Sequence, residues 1–134
     1  MSIGRITPSG VITEFPTGAG TTGVAAGPDG KIWFTLQAVS RIGWIDPNNP
    51  GAGATTMLTP LSGETPQTII TANDGNLWYT DQTQPRIVRV TPGATPTFTV
   101  VPTPFAGEID SLAVGGDGNI WFTDFAGALG KIVW

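Results

Sequence analysis

Lys31-Ile32-Trp33-Phe34-Thr35 returns as Asn76-Leu77-Trp78-Tyr79-Thr80 and again as Asn119-Ile120-Trp121-Phe122-Thr123. An Asp-Gly pair precedes each copy, at Asp29-Gly30, Asp74-Gly75 and Asp117-Gly118, and the three aspartates lie 45 and 43 positions apart. Self-similarity at that period marks a repeat architecture and takes precedence over any local reading.

The flanking segments repeat as well. Short apolar runs at 22–26, 68–71 and 111–114 lead into the Asp-Gly pairs. Asp-Gly between two apolar runs predicts a hairpin, because these residues tolerate the backbone of a tight turn. A third segment follows each Trp run: Arg41-Ile42-Gly43-Trp44-Ile45 and Arg86-Ile87-Val88-Arg89-Val90. A fourth, at 56–60 and 97–102, ends in proline in both copies. Proline cannot donate to a ladder, so the fourth strand belongs at the sheet edge. The repeat is therefore a four-stranded antiparallel meander. From the turn aspartate to the first apolar residue of the third strand the distance is 13, 13 and 12 residues, whereas the loop at 48–53 occurs in one repeat only.

The ends are out of phase with this unit. Residues 3–8 read as a third strand and 11–16 as a fourth, so the chain opens halfway through a repeat. It closes with a first, a second and, at 129–134, another third strand. The single repeat domain over 1–134 thus divides into a strand pair at 3–16, full units at 22–60 and 66–102, and a three-stranded unit at 109–134. That makes 13 strands where three complete units need 12.

Composition agrees. The chain has 134 residues, one domain's worth, with 40% apolar and 12% charged residues, 19 glycines and 12 prolines. Short strands joined by tight turns suit that mixture. The net charge is −4 and the six cations (Arg5, Lys31, Arg41, Arg86, Arg89, Lys131) are dispersed, which argues against nucleic acid as a partner. No apolar run approaches the ~20 residues of a membrane span, and Met1–Arg5 lacks the pattern of a signal peptide. With no cysteine and no histidine, the chain offers no disulfide, thiol nucleophile or imidazole base; the compartment stays open.

Four-stranded meanders at this period, with a recurrent aromatic strand, read as all-β β-propeller blades, three per chain. Trp33, Trp78 and Trp121 are expected as packing residues between stacked blades, and Asp29, Asp74 and Asp117 as turn residues. The Asp-Gly-(Asn/Lys)-(Ile/Leu)-Trp-(Phe/Tyr)-Thr repeat, with Ile3-Gly4-Arg5-Ile6-Thr7-Pro8 and Ile12-Thr13-Glu14-Phe15-Pro16, resembles the streptogramin B (virginiamycin B) lyases over essentially the whole chain. That resemblance implies a seven-bladed propeller that opens a cyclic depsipeptide by elimination, using histidine and a magnesium ion. This chain has three blades and no histidine, so no catalytic histidine carries over.

Three blades do not close a ring, since known rings hold at least about four. The open arc would leave two aromatic-rich faces in water, and burying apolar surface is worth roughly 25 cal/mol per Å². Closed self-association is the expected remedy: a six-bladed homodimer is preferred because it lies near seven, a nine-bladed homotrimer next. The strand at 3–8 and the strand at 129–134 compete for one slot, and the second, which brings Trp134 to bury, is the expected winner.

Chemistry is left to carboxylates. On the channel-mouth face fall Asp81 and Asp124, just after the Trp strands, with Glu64 and Glu108 before the first strands; Leu36 takes the matching place in the first repeat. These could ring the channel and hold a divalent cation; the plainer reading is loop charge in solvent. Asp110, on an innermost strand, is the carboxylate expected in the most perturbed setting. Arg5, Arg89 and Lys131 share one position, expected to point outward or to pair across blades.

The residues therefore suggest a non-catalytic, self-assembling scaffold or binding module with no required cofactor. The alternative is a lyase-like, magnesium-dependent enzyme. A weaker one is a repeat lectin with pockets at Trp44 or Trp134.

Overall fold

The computed structural model describes residues 1–133, and at residues 57 and 58 the backbone alone. Among the described residues thirteen strands form four antiparallel sheets. A two-stranded sheet of β1 (Ser2–Ile6) and β2 (Ile12–Pro16) comes first. Blade 1 is β3 (Val24–Ala26), β4 (Ile32–Leu36), β5 (Arg41–Ile45) and β6 (Thr55–Leu58). Blade 2 is β7 (Pro66–Thr71), β8 (Leu77–Asp81), β9 (Arg86–Thr91) and β10 (Thr97–Pro102). Blade 3 is β11 (Ile109–Val114), β12 (Ile120–Asp124) and β13 (Leu129–Ile132). Each sheet runs in chain order as a meander, the all-β propeller architecture that the repeats predict. The supernumerary third strands, β1 and β13, are both formed: β1 pairs with β2 and β13 with β12. The lectin expectation at Trp134 lies outside the described residues.

The hairpins are not two-residue turns. Gly30 N–H donates to Gly27 O (3.1 Å) and Gly27 N–H to Lys31 O (2.7 Å); the same pair of bonds recurs at 72–76 and 115–119. Only the glycine of each Asp-Gly pair takes positive φ: 79° at Gly30, 77° at Gly75 and 80° at Gly118. The aspartate keeps ordinary backbone, and its carboxylate is free for other work.

Alternation along β4, β8 and β12 sends successive side chains to opposite faces of the blade. Ile32 and Phe34 face back toward the preceding sheet; Trp33 and Thr35 face forward. Trp33 shares a buried cluster with Ile69, Leu77 and Val90 of blade 2, and Trp78 repeats this with Leu112 and Ile120 of blade 3. Polar stitches cross the same seams. Thr35 Oγ1 donates to Gln67 O (2.6 Å), Thr22 Oγ1 to Pro66 O (3.3 Å), and Thr68 Oγ1 to Asp110 O (3.2 Å). A buried second strand thus pairs with a strand on each side within the blade and shares its side chains with both neighbouring sheets.

Candidate functional site

Each turn aspartate clasps the blade tryptophan four residues on. Trp33 Nε1 donates to Asp29 Oδ1 at 3.0 Å and Trp121 Nε1 to Asp117 Oδ1 at 3.0 Å. In blade 2 the distances to the two Asp74 oxygens are 3.3 and 3.4 Å. The lengthening has a local cause. At Gly27 and Gly115 an added Cβ would stand 2.4 Å from the indole, and blade 2 carries Ala72 at that position. The clasp lowers the Asp117 carboxyl, chiefly through the Asn119 side chain and the Trp121 N–H. These aspartates are more than turn residues: each satisfies the one polar group of a blade indole, buried at Trp33 and Trp78 and half-buried at Trp121.

The position of Arg5, Arg89 and Lys131 is explained by the strand opposite. Trp78 faces Arg89 and Trp121 faces Lys131 across the ladder, with the cations 5.9 and 5.2 Å from the ring centroids. Arg89 and Lys131 stack on the blade tryptophan of their own sheet, and Arg5 lies over Phe15 of β2 at 5.7 Å, rather than pairing across blades. In blade 1 the position is Trp44, itself 4.9 Å from Trp33 between centroids.

The strongest polar concentration among the described residues is in blade 2. Glu64 and Asp81 are fully buried. Tyr79 Oη donates to Glu64 Oε2 at 2.8 Å, and Arg86 Nη2 lies 2.6 Å from Asp81 Oδ2 and its Nε 3.9 Å from Glu64 Oε1. Asp81 Oδ1 accepts from both Thr65 and Thr83, backbone and hydroxyl, at 2.9–3.2 Å. Burial pushes the Glu64 carboxyl up, and the bond from Tyr79 only partly offsets it. Burial also acts on Asp81, but the Thr83 and Thr65 donors, together with Arg86, outweigh it and hold that carboxyl low. The Tyr79 phenol is pushed up by burial and by Glu64, so it stays a donor.

The reading as loop charge in solvent is therefore corrected for Glu64, Asp81 and Asp124. Glu64 and Asp81 are sealed inside the blade stack because Tyr79 and Arg86 give them partners there. Asp124, also buried, accepts Ala128 N–H at 2.6 Å and closes the next turn. Glu108 and Asp110 are exposed. Asp110 is not the carboxylate with the most altered surroundings: it falls at the register shift between Ile109 and Ser111 and turns to solvent. Among the described residues no three carboxylates converge to hold a metal. A magnesium ion does not fit Glu64 and Asp81, because the Arg86 guanidinium already stands against both carboxylates and supplies the positive charge there. The cluster was readable only in part from sequence; its one signal is Tyr79, the sole tyrosine, standing where the other repeats have Phe34 and Phe122.

The second candidate is the pair of open blade faces. Val24, Ile69 and Leu112 are repeat equivalents, yet Val24 is 59% exposed while the others are 4% and 6%. On the opposite flank Thr123 is exposed and Trp121 half-buried, whereas Thr35, Thr80, Trp33 and Trp78 are buried. Between β1 and blade 1 lies an apolar cavity of about 200 Å³, walled by Ile3 and Phe15 on one side and Val24, Ile32 and Ile45 on the other.

Comparison with known proteins agrees with this architecture. The profile of the Virginiamycin B lyase family matches residues 1–134. A streptogramin B lyase structure superposes with a TM-score of 0.81 at 27% identity, covering 98% of this chain and 47% of that one. A catalytically inactive virginiamycin B lyase from Staphylococcus aureus with quinupristin gives 0.78 at 29% identity, covering 98% and 48%. A putative gluconolactonase shares the fold alone, at 16% identity and a TM-score of 0.74 over 92% of this chain and 48% of that one. The chain spans about half the length of these structures. No curated protein sequence matches it. Among the described residues no helix is long and apolar enough to cross a membrane.

Proposed function

The chain belongs to the virginiamycin B lyase family, and on that premise we propose that it is a non-catalytic, self-assembling propeller scaffold whose open faces are covered by a second copy. The observation that carries this reading is the burial mismatch at the two flanks. Val24 and Trp121 are equivalents of fully packed residues and lack only the neighbouring blade. A second copy presents the missing complement to each face, and two arcs of three blades make a closed six-bladed ring.

A non-catalytic role is supported by the chemistry of the buried cluster. General acid–base catalysis needs a titrating group that reaches the substrate. The group with the raised carboxyl, Glu64, is fully buried and tied to Tyr79 and Arg86. The chain supplies no histidine. The lyase reading draws its support from the family and from the quinupristin-bound relative. Incubation with a streptogramin B and magnesium separates the two. The scaffold leaves the ring of the antibiotic closed at the background rate; opening above background overturns it.

A further inference from the structure

We infer that the ring is joined through a composite blade: β1 and β2 of one copy pair with β12 of the next, seating its Trp121 in the β1–blade 1 cavity and its Phe122 over Gly4. The inference rests on the self-assembly reading above and names the contact that makes it.

Gly4 is the residue that calls for explanation. Its repeat equivalents in β5 and β13 are Gly43 and Gly130, and both are glycine for a visible reason. An added Cβ would stand 2.7 Å from Phe34 Cζ at Gly43 and 2.3 Å from Phe122 Cζ at Gly130. In each case the phenyl ring from the paired second strand occupies the space a side chain would need. The one departure, Val88, faces Tyr79, whose hydroxyl is tied to Glu64. At Gly4 nothing lies within 4 Å of the Cβ position, and its backbone is outside the left-handed region. Neither conformation nor crowding within the chain requires glycine there. A second strand carrying Phe at the facing position does, and the second strand left at an open flank is β12.

The cavity points to the same occupant. Its walls Val24, Ile32 and Ile45 are the equivalents of Ile69, Leu77 and Val90, which receive Trp33, and of Leu112, Ile120 and Ile132, which pack with Trp78. Trp121 is the remaining blade tryptophan, half-buried and already clasped by Asp117. With β12 alongside β1, Trp121 falls opposite Arg5, whose guanidinium, in the single chain 5.7 Å from the Phe15 ring, takes over the stacking now made by Lys131.

For this to happen β13 must leave β12. It is held over four residue pairs on one side only, and its Leu129 and the following Val133 are 63% and 69% exposed. β1 is held over five pairs by β2, and its Ile3 packs on the cluster that Phe15 of β2 forms with Phe34, Leu36 and Ile45 of blade 1. Exchange of β13 for β1 keeps the ladder hydrogen bonds in number and adds the seated indole. This reverses the preference for the C-terminal strand drawn from sequence.

Two full-chain variants test it against the wild type by sedimentation. G4V meets open space in the single chain but Phe122 in the composite blade, so self-association weakens at least tenfold while the circular dichroism spectrum is unchanged. I3C/T123C places cysteines at directly facing positions of β1 and β12, where antiparallel neighbours approach closely enough for a disulfide; oxidation yields a covalent dimer that reductant dissolves. A wild type of doubled mass with G4V equally dimeric and I3C/T123C uncrosslinked overturns the composite blade and leaves the self-assembly reading standing. A wild type that stays a single chain overturns both.

Discussion

Trp78 and Trp121 occupy one position of one repeat, carry the same aspartate clasp and face a stacked cation across the same ladder, yet the first is 2% exposed and the second half-buried. The same contrast holds between Ile69 and Val24 on the opposite face. Burial in a stacked repeat is set by the neighbour, not by the residue. The middle blade has a sheet on each side; the terminal sheets have one.

That contrast gives variants of unequal size. The largest effect is expected from W78A, which empties a filled seam and costs about 3–5 kcal/mol in urea unfolding at concentrations where the chain is single. W121A under the same conditions costs a fraction of that, but abolishes self-association. Equal costs would mean that the two faces are equally packed and would break the comparison. Next comes I69D against V24D. The first places a carboxyl among buried side chains and costs about 3 kcal/mol, while the second changes the single chain by less than about 0.5 kcal/mol and shows only in the mass of the assembly.

The buried cluster of the middle blade sets a pH dependence that blade 1 lacks, where Phe34 and Leu36 stand in place of Tyr79 and Asp81. Glu64 is raised in the folded state by burial, so the folded chain binds its proton more tightly than the unfolded chain does. That contribution is fully present below the ordinary value of 4.5 and is lost as pH rises through the raised value. Asp81 has the opposite sign. It is lowered, so its contribution is present above 3.8 and is lost as pH falls through the lowered value. E64Q should therefore flatten the stability curve above pH 4.5, leaving the acid limb due to Asp81 in place, as followed by thermal unfolding across a pH series. Y79F, which leaves Glu64 Oε2 without its donor, should cost about 1–3 kcal/mol. Among the substitutions at packed positions the smallest effect is expected from G27A. The Cβ would meet the Trp33 indole, but Ala72 shows that the same clasp survives a methyl at a few tenths of an ångström of extra length. A cost near 1 kcal/mol is expected, overpacking being mild where the neighbour gives way.

The architecture was legible because the repeat states it three times and period-2 alternation needs no tertiary knowledge. The proline-terminated fourth strands and the out-of-phase ends followed from the same pattern. The carboxylates were legible by position only. Nothing in Glu64 or Asp81 taken alone distinguishes a buried partner of Arg86 from a solvated loop charge; that depends on Tyr79, three positions before Arg86's turn begins, folding back over a bulged β7 to meet Glu64. Asp110 was misjudged for a related reason. The register shift beside it turns the side chain out, and a bulge leaves no mark in a sequence of small and apolar residues. Gly4 carried its information silently, since a glycine means nothing until the ring that should cover it is seen over its two equivalents.

The most direct test of the central claim is the mass of the full chain in solution by light scattering at micromolar concentration. Closure of the two open faces by a second copy gives twice 13.9 kDa. A particle of 13.9 kDa that stays unassociated, with Val24 and Trp121 in water, would contradict it.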